Sequence, residues 1–374
     1  MDLNLNEAQE MLRTTARDFL TNNCPPSLVR DMTKDDRGYP LELWRKMAEL
    51  GWMGLEVPER YGGSGGSFLD MTVLLEELGR ACLPGPFVPT IIGASILLEA
   101  GSDAQKREFL PKIASGNLIL TLALAEADAS YDLASLKVTA TADGEGYVIN
   151  GTKLFVPDAN VADSIICVAR TGAGRARGLT LFLADAQSRG LKRSPLKTFA
   201  GNKLSEVVFD RVRVPQAKVL GQVGRGRDYL KTALAKGAVA MCAQMLGAAQ
   251  RALGMSVEHS KQRVQFGRPV GSFQAVQFHC ADMMTDVDGA RLLTYQAAWR
   301  LSEGLPCAKE VAIAKAWVND AFTQVMSLGH EVQGGVAIMD DHDMPLYSKR
   351  ALGWQAGFGG ADFHREVIAQ ELGL

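Results

Sequence analysis

Between positions 138 and 156 the chain reads Val138-Thr139-Ala140-Thr141-Ala142, then Asp143-Gly144, then Tyr147-Val148-Ile149, Asn150-Gly151 and Lys153-Leu154-Phe155-Val156. β-Branched and aromatic residues broken by glycine predict short strands around a turn, and Asn-Gly is the strongest short hairpin signal, so a second turn is predicted at Asn150-Gly151. Ser164 to Arg170, Leu179 to Ala184 and Ser205 to Val214 continue in that style after the period changes near Ile119. About a hundred residues of strand therefore form a middle β domain, a small barrel or sandwich.

On either side the pattern is helical. Leu5, Ala8, Met11, Leu12, Ala16 and Leu20 recur at three- and four-residue steps, Leu41 to Leu50 does the same before Gly51, and a further helix is predicted from Phe68 to Arg80. Pro84, Pro86 and Pro89 break the chain before another helical run to Ala100. After Asp228 the helices lengthen, with one stripe at Val276, Cys280, Met283, Val287 and Ala290 and another from Val311 to Leu328 that should end at Gly329. Antiparallel helices with such stripes predict a bundle. The expected organisation is α+β: an N-terminal all-α domain over 1–118, a middle β-barrel or sandwich over 119–222, and a C-terminal four-helix bundle over 223–374.

Composition narrows the function. The 374 residues are 47% hydrophobic and 22% charged, and 40 Lys and Arg against 42 Asp and Glu give a net charge of −2. With no block of like charge, nothing invites a nucleic acid or an anionic membrane. No unbroken apolar run of about eighteen residues occurs, so no membrane span is expected. Cys24, Cys82, Cys167, Cys242, Cys280 and Cys307 are scattered, without C-x-x-C or a His at metal spacing, which reads as reduced thiols in a cytoplasmic protein.

Most motifs that spell chemistry fail on context. Gly62-Gly63-Ser64-Gly65-Gly66 fits G-x-S-x-G, but a serine elbow needs a strand before it and a helical pattern precedes this one. Gly221 to Gly226 is glycine-rich yet opens a helical region without βαβ context, so a linker is expected. His259, His279, His330, His342 and His364 read as structural, and Asp340-Asp341-His342-Asp343 as a solvated loop, so no metal site is assigned. Arg263-Val264-Gln265-Phe266-Gly267-Arg268-Pro269-Val270-Gly271-Ser272-Phe273-Gln274 differs. It sets a guanidinium, a ring, glycines and an amide between two apolar helices, which suits either a pyrophosphate with a flat ring system or a structural turn.

Together these features resemble the acyl-CoA dehydrogenase family over essentially the whole chain. Glu42-Leu43-Trp44, Leu50-Gly51-Trp52, Val57-Pro58 with Tyr61-Gly62-Gly63, and Glu76-Glu77-Leu78-Gly79 resemble its helical domain. Asn150-Gly151-Thr152-Lys153 and Val212-Arg213-Val214-Pro215 resemble its barrel, and Arg263-x-x-Phe266-Gly267 with Gln274 its bundle signature. The resemblance implies an FAD between a barrel and two bundles, one from a neighbouring subunit of a dimer or tetramer. It implies an acyl-CoA substrate that gives its α-proton to a carboxylate and its β-hydride to the flavin, with an electron acceptor downstream.

Carried over residue by residue, the resemblance implies FAD contacts at Arg263, Phe266, Gln274, Gly334 and Gly335, with Glu331 where a Gln is usual and Gln333 as its substitute. The usual base position holds Phe358 and the alternative one Gly237, neither of which accepts a proton, so the catalytic residue is unassigned. Ala238 also stands where an Arg is frequent. The barrel wall departs too: Ala125-Glu126-Ala127-Asp128-Ala129-Ser130-Tyr131-Asp132 loses a Thr and gains Tyr131, and Phe155-Val156-Pro157 replaces Trp-Ile-Thr. Lost barrel contacts beside retained lent contacts lead to the expectation of a base-lacking chain in a hetero-oligomer, paired with a second acyl-CoA dehydrogenase-like subunit. Such arrangements handle bulky acyl-CoA substrates in lipid or steroid catabolism. The alternatives are a self-sufficient homo-oligomer with Asp362 or Glu126 as a relocated base, and a non-catalytic acyl-CoA-binding scaffold.

Overall fold

The computed structural model describes residues 5–128, 131–172 and 178–374. Six helices come first: α1 (Glu7–Asn23), α2 (Pro26–Lys34), α3 (Leu41–Glu49), α4 (Phe68–Arg80), α5 (Phe87–Ala100) and α6 (Asp103–Ala114). Strands β1 (Leu120–Ala123), β2 (Thr139–Asp143), β3 (Gly146–Pro157), β4 (Ser164–Thr171), β5 (Gly178–Asp185), β6 (Leu191–Leu196), β7 (Leu204–Pro215) and β8 (Val219–Leu220) follow. The chain then returns to helix with α7 (Gly226–Gln262), the two-residue strands β9 (Val264–Gln265) and β10 (Arg268–Pro269), α8 (Gln274–Ser302), α9 (Ala308–Gln333), α10 (Met344–Ala356) and α11 (Ala361–Glu371). By contact the residues fall into two compact units, one of 1–31, 68–83 and 236–374 and the other of 32–67 and 84–235.

The unit holding residues 84–235 is built on one sheet, ordered β6-β7-β3-β2-β4-β5-β8, with β1 joined in parallel to β4. Its hairpin turn falls where Asp143 pairs with Gly146, around Gly144 at φ +61°. The second turn expected at Asn150-Gly151 does not form. Those residues lie inside β3, where the register against β7 shifts between Ile149 and Gly151: Asn150 alone stands opposite both Asp210 and Arg211, so the bulge's extra residue lies on β7, with Arg211 at φ +53°. Asn150 Oδ1 then accepts the Arg211 backbone N–H at 2.9 Å, a local use of the side chain that competes with turn formation. Strand β6 went unread in the sequence because Pro195 and the exposed Lys192 and Ser194 hide its period, and both features suit the edge strand it is.

A buried ion pair ties this unit together. Lys153 Nζ lies 2.7 Å from Glu126 Oε1 and 2.9 Å from the Leu124 carbonyl, while Glu126 also accepts the backbone N–H groups of Lys137 (2.6 Å) and Val138 (3.0 Å). Every polar atom of the pair is thereby occupied, the condition under which a buried charge is tolerated. The Gly62-to-Gly66 loop follows a short 3-10 turn at Glu59–Tyr61, so no strand leads into Ser64.

The other unit is helical. An Asn6–Gln9 capping box starts α1, and Arg17 of that helix grips Glu77 of α4 at 3.0 and 2.6 Å. Beside it, Glu76 takes hydrogen bonds from Tyr295 (2.7 Å) and Gln250 (2.5 Å). Gly79 and Gly247 let α4 and α7 meet backbone to backbone: a Cβ at Gly247 would lie 2.7 Å from the Arg80 nitrogen. The Val311-to-Leu328 stripe is buried as expected, but α9 runs past Gly329 to Gln333 and is capped at Gly334, φ +67°. Gly329 serves packing instead, since a Cβ there would collide with Cε of Met344. Helix α7 is long and apolar enough to cross a membrane by length and composition, yet 78% of its most apolar window is buried within the protein.

Candidate functional site

The link from α7 to α8 carries most of the sequence signature. Val264 pairs with Pro269 and Gln265 with Arg268, leaving Phe266 (φ +53°) and Gly267 (φ +80°) as the two-residue turn. Two successive positive φ values make this a primed turn, and a phenylalanine in the left-handed region costs roughly 1 kcal/mol. What that strain does is present the Phe266 ring to solvent, 91% exposed, edge-on to Phe273 with centroids 6.0 Å apart. Arg268 packs 4.2 Å over the other ring, Phe273. Arg263 closes the link through its backbone carbonyl, which accepts from Val270 at 2.8 Å. Its guanidinium makes no hydrogen bond or salt bridge among the described residues, and Gln274, exposed, begins α8.

At the end of α9 the expected contacts divide. Gly334 and Gly335 have open space where a Cβ would project, as a backbone surface meant for close approach requires. Glu331 is exposed and lies 3.6 Å from His279 of α8. Gln333 requires a correction, because its side chain is buried and its Nε2 donates to Ser256 Oγ at 2.9 Å, which leaves it spent within the core.

The two base positions come together. Gly237 of α7 faces Phe358, and a Cβ on residue 237 would stand 2.5 Å from Cδ1 and 2.6 Å from Cζ of that ring. Phe358 lies in a turn between α10 and α11 at φ +57°, with Gly359 next at +106°. The turn is gripped from two sides. Lys315 of α9, wholly buried, reaches the carbonyls of Gln355 and Gly359 at 2.9 Å and Asn319 Oδ1 at 3.0 Å. His364 Nε2 lies 3.0 Å from the Phe358 carbonyl, with burial pushing that imidazole down to about 4. His364 was read in the sequence as structural, and Lys315 was not singled out; the signal for it was the width of the α9 apolar arc, which takes in Lys315 and Asn319 one turn apart.

Of the relocated acids, Asp362 has a side chain 96% exposed and bonded to Arg365 at 2.8 Å, while Glu126 is committed to Lys153. On the strand side Phe155 stands half exposed at φ +55°, and the Pro157 carbonyl accepts from Thr121 Oγ1 at 2.6 Å. Pro157 has no N–H left to donate. Ala129 and Ser130 of the altered run lie outside the described residues.

The two sets of residues differ in the chemistry they could offer a flavin. The Arg263, Phe266, Gln274 and Gly334-Gly335 set fits the anionic and planar parts of FAD: a free guanidinium, an uncovered ring, a primary amide and an open glycine backbone. The strand set at Phe155 and Pro157 lacks the hydrogen-bond donors a flavin ring would need there.

Comparison with known proteins bears on the same regions. The descriptions "Acyl-CoA dehydrogenase, N-terminal domain", "middle domain" and "C-terminal domain" match residues 6–117, 121–212 and 224–373. The acyl-CoA dehydrogenase of Bacillus subtilis (strain 168) is 32% identical over 377 residues, covering 99% of each chain. Among solved structures, a chain of the ChsE4-ChsE5 complex from Mycobacterium tuberculosis superposes with a TM-score of 0.91 at 30% identity, over 100% of this chain and 99% of that one. The FAD complex of PigA superposes with a TM-score of 0.92 at 26% identity, over the whole of both chains.

Proposed function

The chain belongs to the acyl-CoA dehydrogenase family of FAD-dependent oxidoreductases, and from that premise we propose that it is the base-lacking subunit of a hetero-oligomeric acyl-CoA dehydrogenase. The observation that carries this reading is the packing of Phe358 against Gly237, which fills both base positions with groups that cannot take a proton. Proton removal from the α-carbon of the thioester then falls to a carboxylate of the companion chain. FAD, when bound, supplies the acceptor for the β-hydride. This chain's share would be to hold and orient: Arg263 would pair with the anionic part of FAD, Phe266 would cover a planar ring face, Gln274 would offer its amide, and Gly334-Gly335 would admit close backbone approach. Glu331 opposes that negative charge, and His279 lies 3.6 Å from it.

The substrate is an acyl-CoA thioester, of the bulky kind met in lipid or steroid catabolism, and the assembly would work with a separate electron acceptor. That ChsE4-ChsE5 was solved as a complex of two unlike chains supports a two-chain assembly, here a tetramer. The six free cysteines support a cytoplasmic location.

Co-expression with a second acyl-CoA dehydrogenase-like chain tests the proposal. The expected result is a colourless protein alone and a yellow complex that reduces an electron acceptor with an acyl-CoA. A yellow, active protein from this chain alone overturns it in favour of a homo-oligomer, and absence of flavin in both preparations favours the scaffold reading.

A further inference from the structure

Lys315 is charged, completely buried, and has no carboxylate partner among the described residues. Its four acceptors are Gln355 O and Gly359 O at 2.9 Å, Asn319 Oδ1 at 3.0 Å and Trp354 O at 3.4 Å, all neutral dipoles. Trp354 and Gln355 lie in the last turn of α10, whose unpaired carbonyls form the negative end of the helix and favour a cation. Gly359 is different. It lies beyond α10, so a donor reaching across from α9 fastens the turn to the bundle.

The turn needs fastening. Phe358 sits in the left-handed region, which a non-glycine residue leaves unless its surroundings hold it there. A buried ammonium is costly, and an apolar side chain of the same length would fill the volume without that cost. Such a side chain would leave the Gly359 carbonyl without this donor.

We propose that Lys315 is the positioning residue of the 357–360 turn, fixing the direction of the residue 358 side chain so that it lies over Gly237. This rests on the reading of position 358 as the base position. The turn is then a base-presenting scaffold that still points its side chain inward after the carboxylate has been replaced by a ring.

The charge on Lys315 provides a specific readout. Burial pushes its ammonium down to about 8 from an ordinary 10.5, a value it regains if the turn opens to water. Between those values the closed turn binds fewer protons than the open one, so raising the pH across that window favours closure. The titratable groups facing it are Cys242 of α7, pushed up to about 12 by burial, and His364 of α11, pushed down to about 4; α10 brings only carbonyls. Neither neighbour has its midpoint inside the window.

Hydrogen exchange of the full chain in its native assembly, corrected for intrinsic rates, tests this. Peptides spanning 355–364 should gain protection on the order of tenfold between pH 8 and 9.5, while α8 shows no such rise. In Lys315→Met the same peptides should exchange faster and lose the pH dependence. A flat wild-type profile, or wild-type exchange in Lys315→Met, overturns the assignment. If Lys315→Met does not fold, the wild-type profile decides alone. Turnover by this chain without a companion would refute the functional reading and leave the exchange result standing.

Discussion

The ring of Phe358 occupies the space that a side chain at Gly237 would take, so the two residues are complementary halves of one packing unit. Alanine is the better helix former, worth roughly 1 kcal/mol over glycine within α7. Here it would collide with the ring. Gly237→Ala should destabilise the protein by about 1–3 kcal/mol. In a Phe358→Ala background the same change should become neutral or stabilising. Urea unfolding of the four proteins measures the coupling, and additive effects would mean that the two side chains do not share the space.

The Lys153–Glu126 pair gives a second test. Glu126→Ala leaves a buried ammonium without its partner and should cost on the order of 3–5 kcal/mol, seen as a large drop in thermal unfolding temperature. Were Glu126 instead a relocated base, Glu126→Gln would abolish turnover while leaving the melting temperature of the assembly close to wild type.

Arg263 and Phe266 are expected to behave in the opposite way. With the guanidinium unbonded among the described residues and the ring in solvent, Arg263→Ala and Phe266→Ala should change folding stability by no more than about 0.5 kcal/mol. In the assembled complex each should lower the flavin-to-protein absorbance ratio severalfold. Normal flavin content in both variants would remove these residues from the cofactor site.

His364 predicts an acid limit. Its folded value near 4 lies below the ordinary 6.5, so the unfolded chain binds the extra proton between those values. The stability from keeping it neutral is fully present above pH 6.5 and is lost as the pH falls toward 4, by up to about 3 kcal/mol. Stability measured from pH 7 to pH 4 should fall less steeply in His364→Gln.

Much of this was legible in the chain's periodicities. Helix α4 begins and ends at Phe68 and Arg80 as the pattern predicts, and α5 runs from Phe87 to Ala100 behind Pro84 and Pro86, with Pro89 inside its first turn instead of before it, where a missing N–H costs nothing. Sequence reasoning went astray where one residue type serves two backbone purposes. Asn-Gly at 150–151 signals a turn by local preference, but pairing with β7 keeps it in strand, opposite a bulge whose extra residue belongs to β7. Gly329 resembles a helix stop and is a notch for Met344. Gln333 has the right chemistry for a cofactor contact, and only its bond to Ser256 reveals that it faces inward. The proximity of Gly237 and Phe358, 121 positions apart in the chain, is a property of the folded bundle that spacing along the chain does not contain.

A phenyl ring on a strained hairpin tip, bare on nearly every side, also bears on handling. Left without whatever normally shields it, the chain exposes an adhesive point that invites clumping as concentration rises. Production in isolation should therefore give colourless protein that stays dispersed when dilute and self-associates as concentration rises, and the concentration at which it does so should report how well the ring has been covered.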